Sequence, residues 1–194
     1  MSIVLVRHGE TALNAARVFQ PPETPLSDLG RQQAQAVGRR LARSGAVGLI
    51  ASDLTRAWET AAAVAEHSGL RAQALASLHE RNFGDWRGQP HAMVGENALS
   101  IADAPPGGES QSEFEQRVLV SFRELLALKE AMEGDMIVVT HGLWIRTLLD
   151  NLPQSSRPDG GAPSIGNTAV TVLDSQTPHT VQLLNCQRHL QTAD

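Results

Sequence analysis

The sequence predicts an α/β fold: a three-layer sandwich with a mostly parallel central sheet and helices on both faces. Two observations carry this. Short aliphatic runs of strand length, Ile3–Val6, Val47–Ala51 and Met136–Thr140, alternate with longer segments of helical period. That alternation is the pattern of a sheet covered by helices on both sides. The second observation is positional. Residues with chemical capacity directly follow the aliphatic runs, and open α/β sheets hold ligands beyond the carboxyl ends of their strands.

Taken in order, Ile3–Val6 is β-branched and aliphatic and reads as a buried strand. Asn14 to Pro25 is loop, because Pro21, Pro22 and Pro25 break regular structure. Ser27 can cap a helix running to about Arg43, with Leu29, Val37 and Leu41 inward and Gly45 beyond its end. Val47–Ala51 is a second strand. Ser52 can cap a helix over about Leu54–Glu66, which Gly69 terminates. A weak strand follows near Arg71–Ala76. Glu80 to Gly108 has no clean period and holds Pro90, Pro105 and Pro106, so loops and a short helix are expected there. Ser112 and Glu115 form a capping box for a long helix over about Glu113–Glu130. Met136–Thr140 is a further buried strand, followed by a helix through Leu149 and a Pro/Gly-rich loop over Asn151–Gly166. Thr168–Leu173 and Thr180–Leu184 read as two final strands.

The 194 residues suit one domain, 1–194, with a variable segment at about 81–110 covering a substrate. The formal net charge of -5 argues against a nucleic-acid or anionic-membrane surface. A few arginines in one pocket still outweigh that balance locally. The one cysteine, Cys186, cannot close an intrachain disulfide, and no segment reads as a signal peptide or membrane span. A cytoplasmic protein is the expectation, with a homodimer left open.

The chemistry gathers at the strand ends. Arg7, His8, Gly9 and Glu10 follow the first strand, Ser52 and Arg56 the second, Glu80 the weak third, and His141 and Gly142 the strand Met136–Thr140. Two histidines, two arginines and a carboxylate therefore share one rim. Arginine forks hold phosphoryl oxygens bidentately, and the early position of Arg56 in its helix adds amide donors and the helix dipole. A neutral histidine can attack phosphorus, and nearby arginines favour the neutral form. Glu80 can give a proton to the leaving oxygen and later take one from water. The arginines should lower its pKa, so it is expected to become a competent acid only with a phosphate dianion bound. Glu10, Asp85 and Glu109 could stand in for it. Fixed cations beside a divalent ion repel it, so no metal is expected, and no P-loop or dinucleotide fingerprint points to a cofactor. The other histidines, His67, His79, His91, His179 and His189, are read as structural or solvated, and Trp86 and Trp144 as packing residues.

Leu5-Val6-Arg7-His8-Gly9-Glu10-Thr11 with Asn14 resembles the signature of the histidine phosphatase superfamily, also called phosphoglycerate mutase-like. Ser52-Asp53-Leu54-Thr55-Arg56-Ala57, the run Glu80 to Trp86, and Val139-Thr140-His141-Gly142 match in order. Pro25 to Gly30, Pro106 to Ser110 and Gly166-Asn167-Thr168 are similar too. The resemblance implies His8 as phospho-acceptor, Arg7, Arg56 and His141 as the phosphate pocket, and Glu80 as proton donor. Asn14, Gln20, Arg81 and the Gly142 backbone would assist in binding a small phosphorylated substrate.

The implied activity is phosphomonoester hydrolysis through a phosphohistidine. A cofactor-dependent phosphoglycerate mutase is the first alternative, and an inactive phosphate-binding or adaptor protein the second. Three departures count against the mutase. Trp86 to Pro106 offers Arg87 and no lysine where mutases carry a longer basic insertion. Phe83-Gly84-Asp85-Trp86 stands where mutases have a Tyr, and it is similar to alpha-ribazole and broad-specificity phosphatases. Pro21 aligns with a mutase Gly N–H, and proline has none. Arg81 is the one mutase-like feature.

Overall fold

A computed structural model describes residues 1–95, 98–153 and 164–191. Six strands form one sheet: β1 (Ser2–Arg7), β2 (Ala46–Ala51), β3 (Ala72–Ala74), β4 (Asp135–Thr140), β5 (Val170–Asp174) and β6 (Val181–Cys186), in the order β3-β2-β4-β1-β5-β6. β1, β2, β3 and β4 pair in parallel, whereas β5 and β6 are antiparallel additions at one edge. The sheet is thus mixed, with the parallel part on the side that carries the predicted chemistry.

The period of two along each strand sorts the core into two halves. Ile3, Leu5, Met136 and Val138 pack on one face with Phe114, Val118, Phe122 and Leu125 of helix α5 (Gln111–Glu130) and with Trp144, Ile145, Leu148 and Leu149 of α6 (Gly142–Asn151). Val4, Val6, Ile137 and Val139 face the other way. They meet Val37 and Leu41 of α2 (Asp28–Leu41) and Ala57, Ala61 and Val64 of α3 (Thr55–Ser68). Each large aliphatic side chain buried in this way contributes about 1.5–3 kcal/mol. A one-residue slip of β1 would exchange the two faces, so its register is strongly held.

Several local expectations shift. The buried stripe of α2 is Gly30, Ala34, Val37, Gly38 and Leu41, which leaves Leu29 about half exposed, at 49%. Gly30 occupies that stripe because a Cβ there would sit 1.9 Å from the Glu10 carbonyl oxygen. The strand-end loop after β1 therefore rests directly on the start of α2. Helix α3 begins after Leu54 with no side-chain cap, so Ser52 is not its cap. The capping box of α5 is Ser110 with Glu113, two residues before the predicted pair. Thr11 and Asn14 form an unpredicted box that opens a short helix α1 (Ala12–Ala15). Segment 81–110 contains turns at Gly84–Trp86 and Ala98–Ser100 and a short helix α4 (His91–Val94). Most of the predicted loop Asn151–Gly166 lies outside the described residues. Among the described residues no helix is long and apolar enough to cross a membrane.

Candidate active site

The ladder of the parallel strands runs straight into the site. The His8 N–H donates to the Thr140 carbonyl (2.9 Å), and the Ser52 N–H to Val139 (3.0 Å). The ends of β2, β4 and β1 are neighbours in the sheet, so Ser52, His141 and His8 are side by side. The rings of His8 and His141 lie with centroids 5.2 Å apart, and both residues are buried.

His8 is held in one sense. Its Nδ1 meets the Gly9 carbonyl oxygen at 2.7 Å. The carbonyl can only accept, so Nδ1 carries the proton and Nε2 of the neutral ring has a free lone pair. Burial, followed by the Arg56 and Arg7 charges, pushes the His8 pKa well below its usual value, against a smaller raising effect of the Gly9 bond. The backbone around it is also fixed. Gly9 N–H donates to Thr60 Oγ1 (3.0 Å), and that hydroxyl donates to the Arg56 carbonyl (2.7 Å). Asn167 Nδ2 donates to the His8 carbonyl (3.2 Å).

His141 Nε2 lies 2.8 Å from Ser52 Oγ. Burial, then Arg56, lowers its pKa well below the usual value, with smaller effects from His8, His79 and Arg7. Arg56 donates from Nη1 to the Pro21 carbonyl (3.3 Å), and Arg7 from Nη1 to the Ile165 carbonyl (2.6 Å). Burial brings the Arg56 pKa down to about 10, with Glu80 opposing and Arg7 and Arg87 adding. Both arginines remain charged at neutral pH. Three buried donors at this point, Arg7 Nε, Arg56 Nε and His141 Nδ1, have no hydrogen-bond partner among the described residues. Buried polar groups rarely stay unpaired, and unpaired ones accumulate where a ligand binds.

The predicted carboxylate arrives from the other side. Glu80 accepts the Leu143 N–H on Oε2 (3.0 Å) and the Arg81 N–H on Oε1 (3.1 Å). Crowding by protein raises its pKa, and this outweighs the lowering by the Leu143 N–H, Arg56, the Arg81 N–H and Arg7. The expectation of a lowered pKa in the free protein is thus corrected: desolvation is the larger effect. The alternative carboxylates are occupied or outside. Glu109 forms a two-pronged pair with Arg117 (2.8 Å each), Glu10 accepts from the Ser27 hydroxyl (2.8 Å), and Asp85 is exposed.

A cavity of about 370 Å³ is lined by Arg7, Asn14, Gln20, Arg56, Glu80 and Gly142, while the buried His8 and His141 are not among its lining residues. Gly142 begins α6, where the first amides have no intrahelical acceptor. A Cβ on Gly142 would come within 3.3 Å of Arg7 Nε, so glycine lets the two approach. Asn14 and Gln20 are held together by Thr11, whose N–H donates to Asn14 Oδ1 (2.6 Å) and whose hydroxyl donates to Gln20 Oε1 (2.6 Å). Arg81 lines the same cavity, but its guanidinium donates to the carbonyls of Glu109, Ile101 and Asp103 and to Gln111 Oε1. Three of its five N–H groups tie down the covering segment, and a fourth holds Gln111 at the start of α5. Thr60 and Arg117 escape sequence reasoning, and Asn167 enters it only as part of the matching run Gly166-Asn167-Thr168, with no role. For Thr60 a signal existed, because it lies four residues after Arg56 on one helix face.

Comparison with known proteins gives the family. Residues 3–187 match the family described as histidine phosphatase superfamily (branch 1). The chain is 34% identical over 192 residues to a glucosyl-3-phosphoglycerate phosphatase of Mycolicibacterium vanbaalenii, covering 90% of this chain and 84% of that protein. It is also 34% identical to phosphoglycerate mutase-like protein 4 of Arabidopsis thaliana, covering 97% and 86%. A solved mycobacterial glucosyl-3-phosphoglycerate phosphatase in complex with VO3 superimposes with a TM-score of 0.78 at 30% identity, covering 95% of this chain and 99% of that one. The protein belongs to the histidine phosphatase superfamily, branch 1.

Proposed function

We propose that the protein hydrolyses small phosphomonoesters through a phosphohistidine on His8. The observation that carries this is that three buried donors without a partner among the described residues belong to Arg7, Arg56 and His141, whose charges or ring bear on His8, a neutral histidine with its Nε2 free. The phosphatase names of the relatives support hydrolysis, and one of them has been solved in complex with VO3, an anion that resembles phosphate.

In the first step Nε2 of His8 attacks phosphorus and the bond to the ester oxygen breaks. Arg7, Arg56, His141 Nδ1–H and the Gly142 N–H hold the transferring oxygens, and fixed donors of this kind stabilise developing charge without reorganising. Glu80, already protonated more readily than a free carboxyl, gives its proton to the leaving oxygen. In the second step Glu80, now a carboxylate, takes a proton from water as the water oxygen attacks phosphorus. His8 departs and phosphate leaves. The phosphorylated ring is cationic, and its Nδ1–H stays on the Gly9 carbonyl throughout.

Segment 81–110 serves as the wall and cover of this one-domain catalyst, with Asn14 and Gln20 holding the near edge. The mutase reading ranks second, because Pro21 stands where that reading needs an amide donor, and proline has no N–H. The two are separated by incubation with 3-phosphoglycerate and catalytic 2,3-bisphosphoglycerate. Phosphate release faster than isomerisation is expected, and the reverse order would transfer the protein to the mutases.

A further inference from the structure

Beyond the phosphoryl pocket, the mouth of the cavity has a charge pattern that hydrolysis alone does not require. Among the described residues, six arginines line the cavity against one carboxylate, Glu80, although the whole chain has more acidic than basic residues. Arg7 and Arg56 answer the transferring phosphoryl group, and Arg81 is committed to the carbonyls of the covering segment. Arg17, Arg87 and Arg146 remain. All three are exposed, and no carboxylate within salt-bridge distance meets Arg17 or Arg87 among the described residues. Arg146 has only a loose contact with Asp150, at 3.7 Å.

Their placement is built rather than scattered. Residues 17–19 and 88–91 zip together: Gly88 N–H donates to the Phe19 carbonyl (2.7 Å), Phe19 N–H to Gln89 (3.0 Å), and His91 N–H to Arg17 (2.8 Å). This brings Arg17 and Arg87, far apart in sequence, onto one wall above the buried Phe19. Arg87 is near enough to Arg56 to depress its pKa. Arg146 stands one helical turn after Gly142, on the α6 side of the same cavity. The same lining includes the apolar side chains Phe19, Phe83, Leu99 and Leu143. Arg17 and Arg87, with no carboxylate at salt-bridge distance among the described residues, and the loosely paired Arg146 repel one another around this cleft, and that repulsion is relieved when an anion binds among them.

We propose that the leaving group of the substrate carries a second anionic group, a carboxylate or a phosphate, on a carbon skeleton that packs against Phe19 and Leu143. Arg17, Arg87 and Arg146 hold this second anion. The proposal rests on the phosphatase reading and selects the substrate class of that same site.

The test uses three aryl esters of similar size: 4-ethylphenyl phosphate, 4-(carboxymethyl)phenyl phosphate and 4-(phosphonomethyl)phenyl phosphate. At low ionic strength one or both anionic esters should exceed the ethyl ester about tenfold in kcat/KM, as expected for one charge-assisted contact. The better of the two identifies the anion. Adding salt should erode the preference, since the guanidinium groups are exposed. Arg87→Gln and Arg146→Gln should each shrink the ratio of anionic to ethyl ester several-fold, and the ratio removes any general loss in activity. Equal use of all three esters, or a ratio unchanged in both variants, would overturn the proposal while leaving the phosphatase reading intact. No turnover of any ester would refute both.

Discussion

Replacing Ser52 by alanine tests how His141 is prepared for its task. Ser52 Oγ lies 2.8 Å from His141 Nε2, with both residues fully buried, and receives the Leu54 N–H at 3.3 Å. A hydroxyl that accepts from an amide is free to donate its single proton to the ring. Nε2 then accepts, and Nδ1, which has no partner among the described residues, carries the proton that the proposed mechanism offers to the phosphoryl oxygens. Ser52→Ala leaves Nε2 buried and unpaired, which costs about 1–3 kcal/mol of stability. For a chain of this length each kcal/mol lowers Tm by about 2–4 °C. Catalysis should suffer separately, because the ring can now place its proton on Nε2 and lose the Nδ1 donor. Complete loss of one such donor costs about 10²–10³ in kcat. Steady-state kinetics with Tm, and ¹⁵N NMR of the imidazole nitrogens, read the two effects apart. A lowered Tm with kcat within twofold of the parent, and an unchanged ring tautomer, would show that Ser52 only supports the fold.

Two further outcomes follow from the same geometry. With His8 well below its usual 6.5 and Glu80 above its usual 4.5, turnover of alkyl esters should fall on the acid side as His8 gains a proton and on the alkaline side as Glu80 loses one. The alkaline limb should flatten for aryl esters, whose leaving groups need no acid; identical profiles for both ester types would contradict the assignment of Glu80. Arg117 donates to the carbonyls of Ser77, His79 and Glu80 as well as to Glu109, so Arg117→Met should loosen the turn that presents Glu80. A Tm loss equivalent to about 1–3 kcal/mol is expected, with alkyl esters slowed more than aryl esters. Equal slowing would reduce Arg117 to a stabilising role.

Much of this site could be read from the sequence because its parts are local. A buried strand is a run of aliphatic residues, and its end is where the run meets Arg7-His8 or His141-Gly142. The parallel topology then does the rest, since adjacent strand ends must meet. What could not be read depends on contacts between distant segments. Ser52 has one hydroxyl that could cap a helix or address a histidine, and only the position of β4 beside β2 decides for His141. The pKa of Glu80 depends on how much protein surrounds it, which charge pattern alone does not reveal. Leu29 looked inward by type, yet the stripe of α2 is set by Gly30 against Glu10. Arg17, Arg87 and His91 lie in aperiodic loops whose mutual zipper has no sequence signature. His91, read as solvated or structural, stacks near Phe19 with ring centroids 4.5 Å apart at the cavity wall.

The central claim is that His8 is the covalent carrier, and the most direct measurement is to trap it. Glu80→Gln should slow the second step by about 10²–10⁴ while an aryl ester still drives the first. Rapid mixing with a ³²P-labelled aryl phosphate, an alkaline quench and peptide mapping should then give a label that is stable in alkali, lost in acid and located on His8. His8→Ala should give no label and no turnover. A label on His141, or steady hydrolysis by His8→Ala, would contradict the mechanism at its core.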